Sequence, residues 1–440
     1  MKKTLSACAG AALVTAGLAS SAVAAPAPAG SGELAYYSNA TRAPQSVSPA
    51  AMRAFLSREQ PQFDLQSYPA YGSLIDDAGR TTTVSLLTQQ TNDVLPAVPG
   101  LSYAVDGVML NSGAGATVGG VQGVPDLTLP LTLTTRPWSI RGESMQIGSR
   151  PQFVDARVVS GRVGQKGAVY EYTAHVNAGP LSGGATRPMD LYVRATDTHG
   201  LTQWGYGPSG FFPQWIYPNQ RKAIADRFDG SVAKYLAATN DSMAGQGSYY
   251  YTVPLLQVDD FVIAERGKVV SRGHDGYLLM DAVTQSFGPK GHDLVKDGVT
   301  WIEFSTQLPG SGQALKIGKV HQDRVGTYPY ASLTTPTSPR LANGSRSTTT
   351  WAIDDIHIVP VRASAWRSPH TGKTYFLTYR VTLDGPSPSR LTMRAVFPDQ
   401  EVAFPGGRAV YEGLYEVSGV LNGERVSGQA WAEVQPAGTL

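Results

Sequence analysis

A single carboxylic acid, Asp281, directly follows a run of aromatic and large apolar side chains, Tyr277-Leu278-Leu279-Met280. An acid in such surroundings loses hydration, which raises the pKa of its carboxyl group and lets it hold a proton near neutral pH. Such an acid is able to protonate an alkene, after which aromatic faces stabilise the cation and water captures it. A strand-end carboxylate that accepts backbone N–H groups is the structural alternative, and both interpretations stay open.

Aromatic residues supply the other candidate functional side chains. In the run Tyr249-Tyr250-Tyr251, the first and third side chains share one face of a strand and the second takes the other face. If Tyr249 and Tyr251 face inwards, their phenols orient a carbonyl or position water; packing of a barrel wall is the alternative. Trp301 and Trp366 are candidate walls for an extended apolar ligand, although large aromatic residues also fill cores.

Histidine residues give no metal or acid–base signature. His274 and Asp275 are adjacent, so on a strand they point to opposite faces, and a turn is the favoured interpretation. His274 and Tyr277 are also predicted as candidate substrate contacts. His357 and the pair His292-Asp293 lack a third and fourth spaced donor, and the chain has no His-Glu-x-x-His motif. No metal site is predicted.

Motifs for covalent catalysis and for cofactors are also missing from the sequence. There is no Gly-x-Ser-x-Gly elbow, and the only cysteine, Cys8, lies in the N-terminal apolar segment. The glycines between Gly113 and Gly120 have the wrong spacing for a dinucleotide site. The sequence therefore predicts no cofactor.

Alternating strands must position these residues. Tyr375, Tyr379 and Val381 share one face of a strand with Leu377 and Leu383, and a second alternating segment leads from Tyr411 to the hairpin signal Asn422-Gly423. Short β-rich runs such as Thr81 to Leu87 and Ala168 to Val176 are separated by turn residues. This rhythm predicts antiparallel sheets that close into barrels. In Trp301 to Leu308 an apolar face alternates with a mixed face, and the mixed face is expected to line a ligand-holding barrel interior.

Several of these segments resemble the carotenoid 1,2-hydratase-like family. Trp366 to Tyr375 is similar to its Trp-Arg-Ser-Pro-x-Thr-Gly-x-x-Tyr run, and Tyr411 to Gly428 to its late Tyr-x-Glu-Gly pattern. Tyr68 to Arg80 and Gly247 to Pro254 resemble the first aromatic strand and the central tyrosine segment. The resemblance spans about residues 66 to 433 and implies two consecutive lipocalin-like antiparallel β-barrels, a mainly β fold.

The resemblance also implies a role for Asp281, which stands at the position of the family's motif aspartate. Family members act as carotenoid or isoflavonoid hydratases and, in fungi, as Diels-Alder cyclases. Ala282 replaces the basic residue that follows the aspartate in the family, and Ser286-Phe287-Gly288 follows a longer spacer in place of Trp-Gly. These departures leave both the catalytic and the structural interpretation of Asp281 in place.

Composition and the N-terminus set the expected organisation. Residues 1–24 resemble an export signal, with cleavage before Ala25, so the mature chain is expected to be secreted or periplasmic, without an integral membrane span. Loss of Lys2 and Lys3 leaves 34 basic and 34 acidic residues, and no basic patch indicates a nucleic-acid partner. Residues 25–58 are expected to form a linker and short helix, 59–254 the N-terminal barrel and 255–440 the C-terminal barrel. Pro218 to Thr239 is predicted as a short helical insertion, either a plug or a lid.

These observations lead to two hypotheses from different classes. The first is an exported enzyme that acts on a hydrophobic unsaturated metabolite, an isoprenoid or polyketide, by hydration or cyclisation. In the hydratase version Asp281 donates the proton, Tyr249 or Tyr251 places water and Trp301 shields the cation. The second is a non-catalytic carrier or export accessory for a hydrophobic small molecule. The substrate and the oligomeric state are not determined by the sequence.

Overall fold

The computed structural model describes most of two β-sheet domains. It covers residues 65–67, 69–91, 103–113, 116–122, 144–147, 153–180, 185–203, 248–285, 300–322, 326–338, 346, 348–351, 353–385, 387–403 and 409–438. The predicted signal segment, the linker with its short helix, and the helical insertion of 218–239 lie outside these residues. Within the described ranges, no helix has the length and apolarity needed to cross a membrane.

The first sheet closes into a barrel. Its strands are β1 (Leu65–Ser67), β2 (Ala70–Ile75), β3 (Thr81–Thr91), β4 (Tyr103–Asn111), β5 (Ala116–Gln122), β6 (Ser144–Ile147), β7 (Phe153–Ser160), β8 (Val169–Pro180), β9 (Arg187–Asp197), β10 (Thr202–Gln203), β11 (Ser248–Glu265), β12 (Lys268–Gly273) and β13 (Asp275–Gln285). β13 pairs antiparallel with β2 on one side and with β11 on the other. These two pairings join the ends of the path β2-β3-β4-β5-β8-β9-β11 and close the ring.

The second sheet curls in the same way. It contains β14 (Thr300–Leu308), β15 (Gln313–Gln322), β16 (Gly326–Thr334), β17 (Thr349–Thr350), β18 (Ile356–Pro360), β21 (Thr378–Leu383), β22 (Ser389–Ala395), β23 (Glu401–Ala403), β24 (Ala409–Leu421) and β25 (Glu424–Val434). β19 (Ala365–Arg367) and β20 (Thr374–Phe376) form a separate hairpin, and 3-10 turns cover Ile353–Asp355 and Arg362–Ser364. The first sheet thus extends to Gln285 and the second begins at Thr300, whereas the sequence places the division between 254 and 255.

The predicted alternation is confirmed in the second barrel. Tyr379, Val381 and Leu383 on β21 are buried in its interior, where the Phe304 ring meets the Tyr379 and Tyr415 rings edge-on at 5.3 and 5.4 Å. The predicted Asn422-Gly423 turn joins β24 to β25, with φ of 49° and 87°. Positive φ at both central residues matches the right-handed twist of a two-residue hairpin, and asparagine and glycine tolerate it. The two barrels are therefore mainly β, as the sequence predicts.

One prediction about side-chain direction is wrong. On β14 the apolar residues Ile302, Phe304 and Leu308 point into the second barrel. The mixed face, which contains Trp301 and Glu303, points outwards, towards the first barrel. The reason is packing: aromatic side chains fill the narrow barrel interior, so the polar groups must turn to the opposite side of the strand.

Side-chain amides hold the two barrels together at this mixed face. Gln307 on β14 donates from Nε2 to the backbone oxygens of Pro254 and Leu278 in the first barrel, both at 2.7 Å. Gln429 on β25 donates from Nε2 to the Tyr277 oxygen at 2.9 Å and to Gln307 Oε1 at 2.7 Å. Ser73 Oγ of β2 donates to Gln429 Oε1 at 2.6 Å. The relative position of the barrels is thus fixed by directional hydrogen bonds.

We expect the substitution Gln307→Ala to destabilise the protein by about 2–4 kcal/mol, because it removes the donor to two buried carbonyls and one of the two acceptors of Gln429. Urea denaturation followed by tryptophan fluorescence measures the change, with exposed Gln165→Ala as the matched control. A Gln307 variant as stable as the control would show that these bonds do not join the barrels.

Candidate active site between the two barrels

Three neighbouring strands of the second barrel each contribute one carboxyl group to a row on the face towards the first barrel. Glu433 on β25 lies directly opposite Glu412 on β24 and directly opposite Glu303 on β14. The three residues are only 4%, 3% and 6% exposed. Directly opposed side chains on antiparallel strands are close neighbours, and like charges there repel. The three carboxyl groups cannot all be ionised in this buried row unless cations are bound to them. Otherwise some of them must hold protons.

Glu303 obtains its cation from the next strand. Lys316 Nζ on β15 donates to Glu303 Oε1 and, at 2.7 Å, to Ser305 Oγ. Tyr330 on β16 donates from its hydroxyl to Glu303 Oε2 at 2.5 Å. This phenol crosses β15 over Gly318, where a Cβ atom would lie 2.6 Å from the Tyr330 hydroxyl oxygen. Glycine at this position therefore lets a residue two strands away reach Glu303.

The other two acids are bonded to indoles. Trp301 Nε1 donates to Glu433 Oε2 at 3.0 Å, and Trp431 Nε1 donates to Glu412 Oε2 at 3.4 Å. Burial raises the pKa of Glu412 to about 8, and the charge of Glu303 adds to this. Burial, followed by the charges of Glu412 and Glu303, raises the pKa of Glu433 well above its usual range. Both groups therefore hold protons near neutral pH, the state that a general acid needs.

The first barrel completes the site with Tyr71 and Asp281. The Tyr71 hydroxyl donates to Asp281 Oδ2 at 2.5 Å, and its ring stacks on Trp431 of the second barrel at 5.2 Å and 12°. Burial and the charges of Asp281, Glu433 and Glu303 raise the pKa of Tyr71 well above its usual range. Tyr71 stays protonated, so it orients Asp281 as a hydrogen-bond donor while its ring covers the acid row. We refer to Tyr71, Asp281, Glu303, Glu412 and Glu433 as the carboxyl site.

The predicted site residues separate into two groups. Asp281, which is 0% exposed, lies in the carboxyl site, and Trp301 borders it. The Tyr277 carbonyl receives a hydrogen bond from Gln429 at the barrel boundary. His274 is exposed and lies 3.6 Å from Asp260. Trp366 packs instead on the Tyr375 and Tyr411 rings of the second barrel, at 6.2 and 6.3 Å.

For Tyr249 and Tyr251 the structure gives the backbone position only. They lie in β11 opposite Thr284 and Ala282 of β13. The residue opposite Asp281 is Thr252, whose hydroxyl donates to the Met280 carbonyl at 3.0 Å. The tyrosine strand is thus the direct neighbour of the strand that presents Asp281.

The motif that starts at Trp366 has a structural function in this chain. Ser368 Oγ donates to Glu401 Oε2, and Thr371 Oγ1 and the Tyr375 hydroxyl donate to Glu401 Oε1 at 2.5 and 2.8 Å. Glu401 is 1% exposed, so three hydroxyl donors replace the water it loses. The Ser-Pro-x-Thr-Gly turn is thereby fastened to β23.

Sequence reasoning missed seven residues of the site and its immediate surroundings: Tyr71, Glu303, Lys316, Tyr330, Glu412, Trp431 and Glu433. A usable signal is present for two of them, because Glu433 and Lys316 interrupt otherwise apolar strand segments, Trp431 to Val434 and Leu315 to Ile317. Charged residues are almost never fully buried unless they are paired. The partners, however, lie on other strands, so only the register identifies them.

The fold is that of the lipocalin-like, two-barrel proteins, a class shared with two solved structures. One is a protein from Nitrosomonas europaea provisionally named AttH, with a TM-score of 0.54 and 17% identity over 86% of this chain and 93% of that chain. The other is kievitone hydratase from Nectria haematococca, with a TM-score of 0.52 and 11% identity over 91% of this chain and 99% of that chain. No family model and no curated protein matches the sequence. At these identities the likeness establishes the fold.

We expect Lys316→Met to destabilise the protein by about 3–5 kcal/mol, because it leaves Glu303 buried without its cation. Adding Glu303→Gln should recover part of this loss, since the double variant buries no unpaired charge. Chemical denaturation of the two variants, with exposed Lys268→Met as control, measures both effects. The assignment of an ion pair fails if the double variant is less stable than Lys316→Met alone.

We also expect the stability of the protein to fall as pH rises from about 5 to about 8. The folded state keeps a proton on Glu412, with its pKa of about 8, that the unfolded chain releases near its ordinary value of 4.5. Glu412→Gln removes this proton equilibrium, so the variant should lose less stability over that range, by an amount on the order of a few kcal/mol. Denaturation curves at pH 5, 6.5 and 8 test the difference. Equal slopes in wild type and variant would contradict a protonated Glu412.

Proposed function

We propose that this chain is an enzyme that hydrates a C=C bond of a hydrophobic metabolite, an isoprenoid or polyketide, at the boundary between the two barrels. One observation carries the proposal. Glu433, which is 4% exposed, lies between two other acids, accepts a hydrogen bond from the Trp301 indole and holds a proton near neutral pH. A protonated carboxyl beside aromatic rings is what the protonation of an alkene requires.

The surroundings of the carboxyl site suit an apolar ligand. Across β13, β2, β3 and β4, the residues Leu279, Tyr71, Ser85 and Met109 lie opposite one another in register. They are buried, yet they do not belong to the interior cluster of the first barrel. This row therefore faces the second barrel and offers two large apolar side chains and an aromatic ring.

In the first step Glu433 transfers its carboxyl proton to one alkene carbon. The π-electron pair forms the new C–H bond, which leaves a carbocation on the other carbon and a carboxylate on Glu433. The negative charge of the Glu433 carboxylate stabilises the cation, and so do the rings of Tyr71 and Trp431, whose centroids lie 5.2 Å apart. The surrounding rings also keep bulk water away from it.

In the second step one water molecule adds to the cation, and the resulting oxonium loses a proton to a carboxylate. Asp281 is suited to accept it, because Tyr71 holds the Asp281 carboxyl by a hydrogen bond of 2.5 Å. The proton then returns to Glu433, so the overall change is the addition of one water. Relative to the sequence prediction, the donor role moves from Asp281 to Glu433, and Asp281 keeps a catalytic role as acceptor.

Hydration is preferred to cyclisation because the site contains protonated acids, for which a cyclisation has no need. The carrier hypothesis uses the same apolar boundary but assigns no function to the protons on these acids.

The proposal also includes export of the chain, directed by the N-terminal signal segment.

The test is turnover of a panel of prenylated phenols and linear isoprenoids in ¹⁸O-labelled water, read by mass spectrometry. We expect an alcohol that carries one ¹⁸O, and a fall in kcat of about 100-fold or more in Glu433→Gln, the usual size of a general-acid contribution. Asp281→Asn should also lower kcat. Glu416→Gln, an exposed acid on the same strand as Glu412, is the matched control and should leave kcat unchanged.

Full activity in Glu433→Gln would eliminate Glu433 as the proton donor. A compound that is retained by the protein but recovered without the label would favour the carrier function instead.

A further inference from the structure

Among the described residues, the row of glutamates in the carboxyl site has more acids than bases. Glu303, Glu412 and Glu433 lie side by side, and one buried cation, Lys316, is bonded to the row. Lys316 is bonded to Glu303, at one end of the row. Glu412 and Glu433 lie directly opposite each other, and the neutral indoles of Trp431 and Trp301 donate hydrogen bonds to them. This arrangement attracts positive charge, which protons supply when nothing else is bound.

Aromatic side chains lie beside the two acids. Trp431, whose ring stacks on Tyr71 of the first barrel, donates from its indole to Glu412, and Trp301 donates from its indole to Glu433. Indole and phenol faces attract cations, more strongly where water is excluded, and aromatic cages of this kind recognise quaternary ammonium groups. Carboxyl groups and aromatic faces thus favour the same ligand charge.

A second observation points to a ligand at this place. Ser85 lies directly opposite Tyr71 in the strand register and is 2% exposed. Within the described part of the chain, its hydroxyl oxygen has no hydrogen-bond partner. Buried polar groups are nearly always satisfied, so a hydroxyl of this kind next to Tyr71, on the face towards the second barrel, indicates a missing polar partner.

We propose that the carboxyl site binds organic cations, namely a substituted ammonium group on a hydrophobic skeleton, with Glu412 and Glu433 as its counter-ions. The inference rests on the site of the proposed function but requires no turnover. The same chemistry has two sources: a ligand that carries a permanent positive charge, or the carbocation formed when an alkene is protonated. In either case the single positive charge of the bound cation balances one carboxylate and so takes the place of one proton shared by the two acids.

Proton release gives the proposal a pH signature. Binding should strengthen as pH rises from 6 to 9, because protons on Glu412 and Glu433 compete with the ligand. The groups facing these acids are Glu303 on β14, Lys316 on β15, Tyr330 on β16, Tyr71 on β2 and Asp281 on β13. Tyr71 does not contribute to the change in this range, since its pKa lies well above its usual range.

Titration calorimetry of the full chain with phenyltrimethylammonium tests the proposal, and tert-butylbenzene, in which carbon replaces the charged nitrogen, is the neutral control ligand. We expect the cation to bind at least about 10-fold more tightly than tert-butylbenzene at pH 8, with a binding heat that varies with the ionisation heat of the buffer. Glu412→Gln/Glu433→Gln should weaken cation binding about 10-fold or more and leave binding of the neutral compound unchanged. Glu416→Gln serves as the control variant.

Equal affinity for the two compounds, no binding of either, or an affinity that does not change with pH would each overturn the cation site. Such results would leave the hydration proposal standing if labelled alcohol still forms. To separate the two sources, the ammonium probe is added to the hydration assay. Competitive inhibition with a Ki below the KM of the best alkene indicates that the site stabilises a cation formed during the reaction. Tight binding together with no hydration of any alkene indicates a permanently charged ligand.

Discussion

The ion pair between Lys316 and Glu303 is the constraint on which the rest of the site depends. Each ionised group alone would be too costly to bury, and together with Tyr330 and Ser305 they satisfy one another. Burial is the largest cause that raises the pKa of Glu412 and of Glu433. The charge of Glu303 in the same row raises both pKa values further, and the charge of Glu412 adds to the shift of Glu433. The buried ion pair therefore reinforces what burial does to the protonation of its neighbours.

Beside the carboxyl site, the barrel boundary supplies the second condition, which is exclusion of water by neutral groups. Gln307 and Gln429 bond to backbone carbonyls of the first barrel, and the Tyr71 ring lies flat on Trp431. Neutral amides fix the geometry beside the site, so these contacts bring no cation to the acids, which keep their protons. A boundary made of ion pairs would have supplied cations to the very groups that need to remain protonated.

The sequence predicts the fold better than the site, for a physical reason. Alternation in Tyr379 to Leu383 and the Asn422-Gly423 turn are local signals, so strands, hairpin and barrel class follow from neighbouring residues. Asp281 could be selected because its apolar neighbours are adjacent in the chain. Glu433, Glu412 and Glu303 become a site only through the pairing of β24, β25 and β14, and that register is not visible in any one segment. The motif that starts at Trp366 has the opposite outcome. It is easy to recognise in the sequence, but in the structure its serine fastens a turn to Glu401 outside the carboxyl site.

The closure of the first barrel by β13 has a consequence for how the chain folds. Tyr71 and Asp281 are 210 positions apart, and the ring is not complete until the strand containing Asp281 has been added beside β2 and β11. Such non-local pairing makes folding slow, and before it forms β2 and β11 present unpaired edges that can join other chains. Closure by β13 also brings Asp281 to Tyr71, so the step that ends the period of aggregation risk also builds the first barrel's part of the site.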